Sequence, residues 1–182
     1  MNFFQFIFQD WKANKWSAKG RAFLLFFRIA NFCNTRRLYF YLGFPYIIIY
    51  KILIQWIFTL EIPWNVQIGR NLTLNHGQAL VLNNEVIIGH SCTLRHCTTI
   101  GVKENLDGTT GKAPVIGNYV NVGSNVCIIG DITIGDNVKI GSGSVVVKSA
   151  PANCVIAGNP AVVKKMLEPA NSAEYSLRDN NG

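Results

Sequence analysis

From residue 61 onward the chain keeps a beat of six that few folds can accommodate. Aliphatic residues recur at Ile62, Ile68, Leu74 and Leu80, then at Ile88, Leu94 and Ile100 after a shift of two, and again at Ile116, Val122, Ile128, Ile134 and Ile140. Glycine directly follows many of them, at Gly69, Gly89, Gly101, Gly117, Gly123, Gly135 and Gly141. An amphipathic helix needs apolar spacings of three and four and cannot produce strict sixes. A short repeat of fixed period marks a solenoid. Each hexapeptide would lay down one flat strand, point one aliphatic side chain inward and turn a corner of the kind glycine tolerates. Three of them make one coil of a triangular parallel β-helix, with inward side chains stacked about 4.8 Å apart from coil to coil. The expected fold class is mainly β, and a sandwich of antiparallel strands is the alternative.

The stretch Gly101–Pro114 (GVKENLDGTTGKAP) breaks the beat, and its Gly, Asp, Thr and Pro content predicts a loop extruded between two coils. After Ile140 the repeat fades through a closing coil and a C-terminal extension. The expected organisation is a helical, basic and aromatic segment over 1–60, a β-helix over 61–166 carrying the loop 101–114, and a flexible polar tail over 167–182.

Composition narrows the class further. With 49% apolar and 15% charged residues, a largely disordered chain is excluded. Residues 1–40 hold the cations Lys12, Lys15, Lys19, Arg21, Arg28, Arg36 and Arg37 against the single acid Asp10. No groove-reading motif accompanies them, so an anionic membrane face or ligand suits them better than nucleic acid. A plain solvated face is the alternative. Cys33, Cys92, Cys97, Cys127 and Cys154 show no pairing rhythm, and the start lacks a cleavable leader, which together predict reduced thiols in the cytoplasm. Leu38–Leu60 is long enough to span a bilayer. Gly43 and Pro45 interrupt it, however, and Lys51, Gln55 and Thr59 form a polar stripe at a spacing of four. The segment is expected to pack on the main domain or a neighbouring subunit, with part of its surface against the membrane.

The three histidines are His76, His90 and His96. His76 follows inward-pointing Leu74 by two residues, which places it on the prism surface. A coil of 18 residues plus the shift of two leads from position 76 to position 96, so these two imidazoles are expected on one face, beside the loop that begins at Gly101. His90 falls on another face. A β-helical carbonic anhydrase would need three histidines converging on one metal, so no metal site is expected.

The runs EIPWNVQIGRNLTLNHGQALVLNNEVIIG and VIGNYVNVGSNVCIIGDITIGDNVKIGSGSVVV, with the AGNPA motif, resemble the left-handed β-helix serine acetyltransferase family over residues 61–166. The opening DWKANKWSAKGRAFLLFFRIANFC is similar to that family's short exopolysaccharide and colanic-acid branch. The resemblance implies an acetyl-CoA-dependent O-acetyltransferase in which His76 is the general base and Glu61, standing where an Asp is usual, orients it. It further implies a cofactor groove formed by Gly101, Gly123, Ser124, Gly141, Ser142 and the turn Ala157, Gly158, Pro160, with Lys139, Lys148, Lys164 and Lys165 near the nucleotide phosphates. The family's sites lie between prisms, which implies a homotrimer.

Set against the serine-specific members, Asn75 replaces an Asp before the histidine, and Lys112–Ala113 replaces an Arg–His pair. That pattern no longer suits a zwitterion. Arg95, His96 and Asn75 suit sugar hydroxyls, so the expected acceptor is a carbohydrate, lipid-linked at the cytoplasmic face of the inner membrane. The alternatives are a serine O-acetyltransferase and a non-catalytic β-helix scaffold.

Overall fold

The computed structural model describes residues 2–168; beyond Glu168 the expected tail lies outside the described residues. Three helices come first, α1 (Phe3–Ile7), α2 (Ala18–Cys33) and α3 (Arg37–Ile52), the last running into a π-helical turn at Leu53–Ile57. The chain then winds through β1 (Gln67–Ile68), β2 (Thr73–Asn75), β3 (Val81–Leu82), β4 (Ile87–Ile88), β5 (Thr93–Arg95), β6 (Thr99–Gly101), β7 (Val115–Ile116), β8 (Asn121–Val122), β9 (Cys127–Ile129), β10 (Thr133–Ile134), β11 (Lys139–Ile140) and β12 (Val145–Val146). A hairpin, β13 (Cys154–Gly158) and β14 (Ala161–Met166), closes it. Parallel pairing stacks β1-β4-β7-β10 on face I, β2-β5-β8-β11 on face II and β3-β6-β9-β12 on face III, and the hairpin extends face II. This is the expected left-handed β-helix, with helices at its lower end.

Registers follow the beat. Ile68, Ile88, Ile116 and Ile134 are stacked in line, as are Leu82, Ile100, Ile128 and Val146. Of the residues expected to point inward, Ile68 alone stays partly exposed, packed against the core. All five cysteines are free, and burial pushes the Cys92 thiol up to about 12.

Two expectations are corrected. The shift of two does not follow Leu80; it falls inside Asn75–Ala79, because Leu82 rather than Leu80 stacks on Ile100. Both leucines are buried, so the sequence period alone could not choose between them. The extra residues widen one corner, where His76 and Ala79 both take left-handed φ angles of 54° and 49°. The glycines that follow inward residues are also not corner residues. The left-handed corner positions belong to Asn71, Ser91, Tyr119, Asn137 and Asn153 in one column and to Ala79, Cys97, Asn125 and Gly143 in another. The glycines lie where the next coil comes close. A Cβ at Gly69 would sit 2.5 Å from the His90 amide nitrogen, and one at Gly135 would sit 2.5 Å from that of Ala152.

The N-terminal helices plug the open end of the prism. Phe23, Leu24, Phe27, Tyr50, Ile54 and Leu60 are buried in the same apolar cluster as the coil interior. Polar side chains meet the first coil's unpaired backbone. Asp10 Oδ1 accepts from the Leu72 amide at 2.9 Å, while Asn14 donates to the Leu72 carbonyl at 2.7 Å and accepts from the Leu74 amide at 2.8 Å. Arg28 donates to Asp10, to the Ile68 carbonyl at 2.8 Å and to the Gly69 carbonyl at 2.6 Å. Asn31 reaches the carbonyls of Trp64 and Val66, and Tyr50 that of Ile62. Arg28, counted above with the solvated or ligand-facing cations, is therefore a buried structural group, 1% exposed.

Helix α3 runs straight through Gly43 and Pro45, which were expected to interrupt it. Gly43 is where α3 crosses α2, since a Cβ there would collide with Cys33 Sγ. The polar stripe is not continued, because Thr59 lies beyond the helical turn with φ 54°. Among the described residues no helix is long and apolar enough to cross a membrane.

Candidate active site

The corner between faces II and III gathers most of the residues singled out above. Going up the prism, the Cys97 amide donates to the Gln78 carbonyl, Asn125 to His96, and Gly143 to Ser124. This ladder aligns Gln78, His96, Ser124 and Ser142 on one edge, and His76 lies at the same corner, two residues before Gln78. Asn75 and Arg95 are register partners at the end of face II just before it. The His76 and His96 rings meet edge to face, with centroids 6.1 Å apart. His76 is exposed. Nδ1 of His96 is buried and has no hydrogen-bond partner among the described residues. An unpaired buried polar atom costs about 1–3 kcal/mol; in native proteins such atoms are few and each needs a reason.

Above the histidines the same edge becomes small. Gly123 is buried, and the Ser124 and Ser142 hydroxyls stand 3.2 Å apart. A Cβ on Gly141 would press on Ala157, which brings the Ala157–Gly158–Pro160 turn to this end of face II. Nothing lies within 4 Å of the Cβ position at Gly143. A thin, amide-bearing pantetheine arm fits a strip of this kind, which has room, hydroxyls and few side chains.

Other expected site residues are placed elsewhere. Glu61 bridges to Val81 and lines a separate cavity with Tyr50, Lys51, Pro63 and Trp64; no hydrogen bond or ion pair joins it to His76 among the described residues. Arg95 is already engaged, its Nη1 donating to Asn121 Oδ1 and the Val122 carbonyl. Gly101 ends β6 at the far side of face III from the histidines, and the loop through exposed Lys112 leaves from that side, not from the histidine corner as expected. Gly101 is close to His96 in number, but the intervening strand Thr99–Gly101 crosses a whole face. Lys139 and Lys165 flank Val155 on face II, Lys164 lies on β14 and Lys148 follows β12, all exposed. The cations thus lie on more than one edge. His90 packs against Tyr119, away from the other two, and among the described residues no three His, Cys, Asp or Glu side chains gather as metal ligands.

Two residues near His76 carry no signal in the repeat. Trp16 and Lys19 line a cavity of about 420 Å³ together with Ala13, Asn14, Ser17, Thr73, Asn75 and His76. Nearly sixty residues separate them from His76 in the chain, and nothing in either segment's sequence announces the contact.

Hexapeptide coils carrying imidazoles below a glycine–serine strip are the build of a transferase, and residues 113–148 match the family model Bacterial transferase hexapeptide (six repeats). Over 160 residues the chain is 40% identical to the Escherichia coli (strain K12) protein named as a colanic acid biosynthesis acetyltransferase, WcaB, covering 86% of this chain and 97% of that one. Over 152 residues it is 32% identical to the serine acetyltransferase of Helicobacter pylori (strain ATCC 700392 / 26695), covering 81% of this chain and 85% of the relative. A crystal structure of serine acetyltransferase from Brucella abortus strain S19 superposes with a TM-score of 0.64 at 26% identity, over 83% of this chain and 58% of that one, so the chain spans little more than half of that enzyme. The chain belongs to the hexapeptide-repeat acetyltransferase family.

Proposed function

We propose that the protein transfers an acetyl group from acetyl-CoA to a carbohydrate hydroxyl, with His76 as general base. The observation that carries this reading is the shared edge, on which an exposed imidazole lies below a strip of small residues suited to pantetheine. Acetyl-CoA, when bound, supplies an activated thioester carbonyl. An alcohol is a poor nucleophile near neutral pH, so His76 takes its proton as the oxygen attacks. One C–O bond forms and one C–S bond breaks, and the imidazolium returns the proton to the leaving sulfur. No acyl-enzyme is needed. Within the chain the ring beside His76 is that of His96, not the carboxylate of Glu61, so the reading rests on the two histidines.

A sugar acceptor is supported by Asn75, which cannot pair with an ammonium group, and by the 40% identity to a protein named for colanic acid biosynthesis. A serine acceptor is the second reading, favoured by the 32% identity to a serine acetyltransferase. His76→Ala should lower turnover about 10²–10⁴-fold while leaving the far-UV spectrum and CoA affinity intact. Assays with serine and with capsular oligosaccharide separate the acceptors; robust serine turnover defeats the sugar reading.

A homotrimer accords with the loop's position. Because the loop leaves face III on the side away from its own His76, it can approach a histidine corner most directly on a neighbouring prism. Peripheral contact with an anionic bilayer accords with α3, whose outer side exposes Leu38, Tyr41, Leu42, Ile48, Ile49 and Ile52, continued by Trp56 and Ile57. Exposed Arg36, Arg37 and Lys51 accompany them, and no Asp or Glu occurs between Trp11 and Leu60. Such an apolar stripe with cations alone suits the headgroup region of an anionic leaflet, which would place the enzyme at the cytoplasmic face of the inner membrane.

A further inference from the structure

The cavity beside His76 has walls from two distant parts of the chain. One is the first strand of face II, through Thr73, Asn75 and His76; the other is the turn leading into α2, through Ala13, Asn14, Trp16, Ser17 and Lys19. That turn is pinned. Asn14 is held on both sides by the Leu72 carbonyl and the Leu74 amide, and Ser17 Oγ accepts from the Gly20 amide at 3.0 Å to start the helix. Gly20 itself presses on the prism, since a Cβ there would lie 3.0 Å from the Leu74 carbonyl oxygen. On this fixed turn Trp16 is 92% exposed, and Lys19 is exposed beside it. Asn14 and Ser17 are committed to holding the turn; Trp16, with the ammonium of neighbouring Lys15 5.9 Å from its ring centroid, and Lys19 remain exposed.

We infer that this cavity is the acceptor subsite, in which Trp16 is a stacking platform for a pyranose ring and Lys19 pairs with a carboxylate on that sugar. The inference rests on the role proposed for His76 and adds the class of acceptor, an acidic pyranoside. A pyranose presents one face of axial C–H groups, which packs on an aromatic ring, and its hydroxyl rim remains free for polar partners such as Asn75. A rigid, pre-placed indole makes that contact at little ordering cost. The cavity has the size of a small-molecule site. The charge around it has one sign: Lys12, Lys15 and Lys19 are exposed on this segment, and its sole acid, Asp10, is buried against Arg28. A neutral sugar would leave that field unused.

The full-length protein should be tested with p-nitrophenyl β-D-glucuronide and p-nitrophenyl β-D-glucoside, measuring binding by ligand-observed NMR and acetylation by CoA release. Wild type should bind the glucuronide more tightly than the glucoside. Trp16→Ala should weaken glucuronide binding about tenfold, the upper end for one aromatic contact, and Trp16→Phe should restore most of it. Lys19→Gln should lower affinity for the glucuronide and leave that for the glucoside unchanged. The KM for acetyl-CoA should stay the same in all three. His76→Ala should still bind the glucuronide, with Trp16 and Lys19 in place, while losing turnover, so a fully active His76→Ala protein would overturn the catalytic assignment without touching the binding result. The subsite is overturned if wild type binds neither glycoside, or if Trp16→Ala and Lys19→Gln bind the glucuronide as wild type does.

Discussion

In the prism each coil satisfies the backbone of the next with backbone, strand on strand, whereas the helical cap meets the first coil almost wholly with side chains. Asp10, Asn14, Arg28, Asn31 and Tyr50 take up the amides and carbonyls of residues 62–74 that have no lower coil to pair with. An exposed parallel edge invites another strand to add to it, and the cap removes that edge while its aromatic residues extend the core downward. Repetition thus needs little chemical variety, and termination needs a distinct side chain for each orphaned group. The cavity beside His76 lies at the junction of the two, with the imidazole supplied by the prism and the exposed indole by the cap.

The comparison is broken most severely at Arg28. Arg28→Met would leave the Asp10 carboxylate buried without its cation and the Ile68 and Gly69 carbonyls unpaired, so stability in urea unfolding should fall by about 3–5 kcal/mol. A loss below about 1 kcal/mol would show that water can take over the edge and that the cap's side chains are replaceable. A smaller effect is expected within the repeat. Gly135→Ala forces a Cβ against the Ala152 amide and should cost about 1–3 kcal/mol in thermal unfolding; an unchanged melting temperature would mean that coils can move apart more freely than their backbone pairing suggests. The smallest effect on folding is expected on the outer side of the cap. Leu42→Ser with Ile49→Ser should change stability by no more than about 0.5 kcal/mol per site, yet reduce co-sedimentation with phosphatidylglycerol vesicles about tenfold. Equal sedimentation of the variant and wild type would remove the membrane contact.

The prism was legible because its period is a direct image of its geometry: the inward strand residue recurs once per hexapeptide and fixes face, register and coil, although the structure buries a second side chain two positions before it, as in Leu72 and Leu74 or Val120 and Val122. The same counting brought His76 and His96 together correctly, since Asn75 and Arg95 just before them are register partners one coil apart. It misjudged what depended on the path between counted positions. Leu80 and Leu82 are equally apolar, so spacing alone places the insertion on the wrong side of Leu80, and Gly101 is close to His96 in number but a strand away in space. The glycines suit corners by residue type, but the reason for them lies in the coil above. In the first sixty residues the charge count treated Arg28 and Asp10 as surface groups, since a buried ion pair at a separation of eighteen has no local signature.

By itself the amino-acid sequence determined the three-sided coil, its aliphatic core and the stacking of two imidazoles on one edge, because those follow from a short period repeated many times. Only the tertiary structure decided how the lower end is sealed, where the loop departs, that Glu61 lines a different cavity from His76, and that Trp16 and Lys19 line the same cavity as that histidine. Those outcomes depend on contacts between segments that share no period, and such contacts are fixed by packing and hydrogen-bond satisfaction rather than by spacing along the chain.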